Sequence, residues 1–118
     1  MKLIGSRTEQ QLREELVRSK LSLRDVDHDP LAKPLKSAKT DIVEAYVINW
    51  IPEQAEDIYE VLVTPSDVMI LEIPRGEGEI RIQSQTLADY LIGASKAQRL
   101  KIAVAQDLFS IAGSSVAG

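Results

Sequence analysis

A chain of 118 residues, 44% of them apolar and 27% charged, is long enough for one domain with its own core and too apolar to be disordered by default. It has no cysteine, which excludes disulfides, thiolate metal sites and cysteine nucleophiles. Its net charge of −4 is unevenly spread: residues 1–40 carry nine Lys or Arg against six Asp or Glu, residues 41–79 one against ten, and residues 80–118 four against two.

An acidic middle between basic flanks argues against nucleic-acid binding by the central segment, where phosphates would be repelled. No apolar core follows Lys2 as in a secretory signal, and no apolar run approaches a membrane span. The expectation is a soluble, cytoplasmic protein that does not engage a membrane.

Thr8-Glu9-Gln10-Gln11 has the spacing of a capping box, and Leu12, Leu16 and Val17 follow at helical spacing. This predicts a helix over Thr8–Lys20, with Glu9–Arg13 and Glu14–Arg18 as i,i+4 pairs, that lies on the domain surface or packs against a partner chain. From Leu21 to Thr40 periodicity fails and Pro30 and Pro34 interrupt, which predicts an extended arm, either functional or draped over the core.

Ile42 to Ile51 is apolar on both alternating faces, Ile42, Tyr46, Ile48 and Trp50 on one and Val43, Ala45, Val47 and Ile51 on the other. A strand covered on both sides reads this way. Asp57 to Thr64 is read as the next strand. A helix is the competing reading, since Ala55, Ile58, Tyr59 and Leu62 also fit helical spacing behind Pro52, but β-branched and aromatic content favours the strand. Thr64-Pro65-Ser66-Asp67 is a turn, Val68–Ile73 returns antiparallel, and Pro74-Arg75-Gly76-Glu77-Gly78 turns again. Ile80 and Ile82 then alternate with Glu79, Arg81 and Gln83, the pattern of a half-buried edge strand blunted by charge.

Ser84 or Thr86 can cap a short helix with Leu87, Tyr90 and Leu91 on one face, stopped at Gly93. Ser95-Lys96-Ala97-Gln98 is a second capping box and opens a longer helix. Leu100, Ala103, Val104, Asp107, Leu108 and Ile111 form one stripe of it, and Ile102, Ala105, Phe109 and Ala112 another. With two apolar stripes, either this helix lies between the sheet and another element or its second stripe meets another chain, and on the latter reading Ile102, Ala105 and Phe109 are the candidate oligomer interface. Residues 113–118 are small and should fray. The whole predicts one α+β domain: an N-terminal helix plus arm over residues 1–40, an antiparallel meander of about four strands over 41–83, and a helical pair over 84–112 packed on one sheet face.

Few residues offer chemistry. His28, the only histidine, lies among Asp25, Asp27 and Asp29, but a calcium loop started at Asp25 has Pro30 where glycine is needed and Lys36 where a glutamate belongs. That histidine is also a poor base for a nucleophilic triad. Gly76-Glu77-Gly78 is too short and too acidic for a phosphate cradle. No metal, cofactor or catalytic residue is assigned, and the expectation is a protein that is not an enzyme. The final helical pair suggests a DNA-binding helix-turn-helix, but the turn glycine falls one residue late and the second helix starts with few polar side chains.

The leading expectation is therefore a regulatory, assembly or toxin-neutralising interaction module, self-associating as a homodimer, that presents Glu53, Glu56, Asp57 and Glu60 to a basic protein partner. The first alternative is a small-molecule binder or enzyme with a pocket walled by Tyr46, Trp50 and Tyr59 between sheet and helices. The further alternative is a DNA-binding regulator acting through the helical pair.

Overall fold

The computed structural model describes residues 2–23, 31–39 and 44–117, with side chains for 9–23, 31–39 and 44–111. His28 and its neighbouring aspartates, together with Ile42 and Val43, lie outside the described residues. The elements are α1 (Lys2–Ser22), α2 (Ala32–Ala38), β1 (Tyr46–Pro52), β2 (Glu56–Thr64), β3 (Asp67–Pro74), β4 (Arg81–Thr86), α3 (Leu87–Tyr90) and α4 (Lys96–Ala117). The fold is α+β, and the four strands form an antiparallel meander in the order β1-β2-β3-β4.

Two apolar clusters sandwich the sheet. On one face Tyr46, Ile48, Leu62 and Val68 meet Leu16 of α1, Leu87 of α3 and Ile102, Val104 and Ala105 of α4. On the other, Val61, Val63, Met69 and Leu71 meet Leu31 and Leu35 at α2. The strand reading of residues 57–64 holds because both faces of the sheet are covered: Leu62 serves one cluster while Val61 and Val63 serve the other. A helix would have stacked Ile58 and Leu62 on one side only.

Several expectations change. α1 runs from Lys2, so Thr8 lies inside the helix rather than starting it. The predicted arm contains α2, where the N-cap Leu31 and, four residues on, Leu35 bury themselves against the sheet. Pro34 is tolerated there because it falls in the first turn, where backbone N–H groups have no helical acceptor. The predicted frayed tail continues as helix to Ala117. α1 lies over α4 and β1, tied by Arg13 to Asp107 (2.8 Å) and Lys20 to Glu44 (3.1 Å), while among the described residues neither expected pair, Glu9–Arg13 or Glu14–Arg18, forms. The Ser19 hydroxyl also accepts the Val47 N–H at 3.1 Å.

The capping signals hold in part. Thr86 accepts the Asp89 N–H (3.2 Å) and Ser95 the Gln98 N–H (3.1 Å). Between them Gly93 sits at φ +79°, a conformation that glycine adopts without strain. The Gln98 side chain does not complete the second box; it is drawn into the site described next. Among the described residues no helix is long and apolar enough to cross a membrane.

Candidate functional site

The site is built by an irregularity in β1. Tyr46 pairs with Leu62 and Val47 with Val61, but the next pairs are Asn49 with Glu60 and Trp50 with Tyr59, so Ile48 is an extra residue. A one-residue bulge reverses the alternation beyond it. Trp50, expected beside Tyr46 and Ile48, is turned to the opposite face next to Tyr59, and Ile51 is exchanged the other way, opposite Ile58.

At this end of the sheet, outside the cluster under α2, Trp50 is 57% exposed, the largest apolar side chain so displayed. It is nevertheless fixed. Its ring stacks on Tyr59 with centroids 6.5 Å apart and planes 12° from parallel. Its indole N–H donates to Asp57 Oδ1 at 3.1 Å. Asp57 is held in turn by a two-pronged clamp from Arg75, whose Nε donates to Oδ2 (3.1 Å) and whose second guanidinium nitrogen donates to Oδ1 (2.8 Å). The Arg75 hydrogen bonds hold the Asp57 carboxyl below the usual carboxylate range against the opposing effect of desolvation, with Trp50 and the Arg75 charge adding to the lowering. Arg75, the only cation in residues 41–79, is thus spent on orienting an aspartate. Its backbone N–H also donates to Ala55 O (3.0 Å), drawing the β3–β4 turn against the β1–β2 turn.

Glu60 stands on the other face. Its Oε1 accepts from Asn49 Nδ2 at 3.0 Å and from the Tyr90 hydroxyl at 2.5 Å. Gln98 Nε2 donates to that hydroxyl (2.6 Å) and to Ile48 O (3.3 Å), so the network spans β1, β2, α3 and the first turn of α4. Burial and the bond to Glu60 push the Tyr90 phenol above its ordinary value, with Gln98 opposing. The network floors a shallow depression of 330 Å³ bordered by Gly93 and Ser95.

The four carboxylates expected to form one partner surface are therefore divided. Asp57 and Glu60 point to opposite faces and are committed to internal hydrogen bonds. Glu53 is exposed and Glu56 half-buried near the β1–β2 turn, and neither carboxylate has a bonded partner among the described residues. The pocket expected between Tyr46, Trp50 and Tyr59 does not form. Tyr46 is buried edge-on to Phe109 (centroids 5.0 Å apart, planes at 83°), while the other two aromatics lie across the sheet.

The expected oligomer stripe is corrected as well. Ile102 and Ala105 are 2% and 0% exposed and belong to the chain's own core, with Phe109 packed against it. The second stripe of α4 faces inward because α1 and the sheet close over it. Of the first stripe, Val104 is buried in the same core, while Leu100, Ala103 and Ile111 are exposed. The helical pair does not form a helix-turn-helix either: α3 is a single turn of four residues. Arg99 donates to Leu91 O (2.8 Å) and Ala94 O (3.3 Å), and Lys101 lies 3.9 Å from Glu15.

Sequence reasoning placed the carboxylates but missed the Trp50–Asp57–Arg75 clamp. The available signal was a lone arginine in an acidic stretch, in a turn that an antiparallel meander returns to the start of β2. Compared with known proteins, the chain matches no family model, no curated protein sequence and no solved structure.

Proposed function

We propose that this chain is a non-catalytic interaction module that grips a basic protein partner at the β1–β2 end of its sheet, with Trp50 as anchor and Glu53 and Glu56 as its charged rim. The observation carrying this reading is that Trp50 is both exposed and immobilised. An aromatic ring fixed before binding loses little conformational entropy when a partner covers it, and interface energy concentrates in such anchors. An exposed tryptophan with no role would not need a stacked ring, an aspartate and an arginine to hold it. The two unpartnered carboxylates favour a partner with Lys or Arg around an apolar socket, speeding encounter and setting register.

The test is capture from native cell extract on the immobilised chain at low and moderate salt, comparing wild type with Trp50→Ala and with Glu53→Gln/Glu56→Gln. A specific protein should be retained by wild type, lost with Trp50→Ala, and held by the double glutamine variant with a flatter salt dependence. Capture of the same proteins by all three chains, each shown folded by circular dichroism, would refute the proposal.

A further inference from the structure

Trp50 shares its face of the sheet with an apolar groove at the far side. Trp50 is in register with Tyr59, Tyr59 with Leu71 and Leu71 with Ile82, so one row of side chains crosses all four strands on the side that α2 covers only in part. Leu71, inside the row, is fully buried, but both ends are open: Trp50 is 57% and Ile82 40% exposed. Around Ile82 lies a groove of 450 Å³ between β4 and α2, lined by Pro34, Ala38, Ile80 and Ile82 with Lys33 and Ser37.

The two ends of the row complement each other. An indole anchor with a carboxylate beside it fits an apolar socket with a cation beside it. The groove is such a socket, and its Lys33 is exposed with no bonded partner among the described residues. Glu53, just beyond Trp50 in the β1–β2 turn, is exposed and without a bonded partner in the same sense. Because β1 and β4 are the first and last strands of the sheet, a two-fold axis normal to it between β2 and β3 lays β1 of one copy over β4 of the other. Every contact is then made twice, as in an isologous dimer. We propose that the basic partner of Trp50 is a second copy of this chain: each indole enters the groove beside the other copy's α2, and each Glu53 meets the other copy's Lys33. This inference rests on Trp50 being an anchor and adds the identity of what it grips. The two sheets stack face to face at about 10 Å, a height that a helix of about 10 Å diameter fills. The α2 helices therefore stand as stops at either end and fix how far the copies slide.

Sedimentation velocity at micromolar to submillimolar concentration tests the dimer, with the emission of Trp50, the only tryptophan, as a second readout. The wild-type chain should dimerise, and its emission should shift to the blue as concentration rises. Trp50→Ala should weaken the dimer by about a hundredfold or more, since both anchors are lost at once. Lys33→Glu and Glu53→Lys should each weaken it by about tenfold, because each turns both opposite-charge pairs into like-charge pairs. Mixing these two variants should restore association to the wild-type level, since in the mixed dimer both pairs are again of opposite charge; a folding defect is not rescued in this way. A dimer indifferent to Trp50→Ala, or a mixture that associates no better than its components, would overturn the inference. A chain that stays monomeric throughout the range overturns it too; if Trp50 of that monomer still captures a different protein from extract, the anchor survives the loss of the dimer, and if it captures nothing both fall.

Discussion

Replacing Tyr90 by phenylalanine tests whether the Glu60 carboxylate is a structural part or a free surface charge. The substitution keeps the ring, which packs against the cluster around Tyr46 and Leu62, and removes only a hydroxyl that donates to Glu60 at 2.5 Å and accepts from Gln98 at 2.6 Å. A hydrogen bond to a charged acceptor is worth about 1.5–3 kcal/mol net, and a neutral one about 0.5–1.5. Neither partner is orphaned, since Glu60 keeps the Asn49 amide (3.0 Å) and Gln98 keeps Ile48 O (3.3 Å). The full penalty of an unsatisfied group therefore does not apply, and the expected loss is about 1.5–2.5 kcal/mol. For a domain of this length that corresponds to a fall in Tm of roughly 5–12 °C. Urea denaturation followed by circular dichroism measures it, and a cycle with Glu60→Gln isolates the pair, with an expected coupling of about 1 kcal/mol. A loss under about 0.5 kcal/mol together with zero coupling would show that the network does not bind α3 and α4 to the sheet.

The same phenol predicts an alkaline limb. Because the folded Tyr90 pKa is raised, its contribution is intact below the unfolded value near pH 10 and is lost as pH rises above it, a decline that Tyr90→Phe should flatten in stability measurements from about pH 9 to 11. Asp57 behaves oppositely: its lowered pKa gives stability present above about pH 4 and lost on further acidification, and an Arg75→Gln chain should show a shallower acid limb in pH-dependent denaturation. Arg75→Gln should also loosen Trp50, read as greater quenching of tryptophan fluorescence by acrylamide with the fold retained; unchanged quenching would mean that the clamp is idle. Ile102→Ala should cost about 2–5 kcal/mol in urea denaturation at every protein concentration, as expected for a side chain buried within one chain rather than between two.

Much of the architecture was legible because local signals agreed with one another. The turns at Thr64–Asp67 and Pro74–Gly78, the caps at Thr86 and Ser95 and the β-branched content of residues 58–63 all specify the same meander and closing helices. α2 was hidden by Pro34, which reads as a breaker unless its place in the first turn is known. The burial of Ile102 and Ala105 could not be read from the helix alone. Two apolar stripes on α4 are equally visible in sequence, and only the packing of α1, clasped through Arg13 and Asp107, and of the sheet decides that Ile102 and Ala105 turn inward together with Val104 of the first stripe. Alternation already sends Asp57 and Glu60 to opposite faces, but it says nothing of the hydrogen bonds waiting there.

The bulge at Ile48 shows why a binding surface can be the least predictable part of such a chain. Strict alternation would have put Trp50 on the face of Tyr46 and Ile48, among apolar neighbours, with Tyr59 across the sheet. One inserted residue instead gives Ile48 its fully buried place and still brings Asn49 opposite Glu60, while the next position swings out to meet Tyr59 and Asp57. The same backbone irregularity thus completes the internal polar network on one face and displays the aromatic anchor on the other. It follows that removing the bulge, not merely the indole, should dismantle both features together. A local departure from regular pairing is stable here because Glu60, Asp57 and Arg75, supplied by β2 and the β3–β4 turn, satisfy the groups that the bulge has re-aimed.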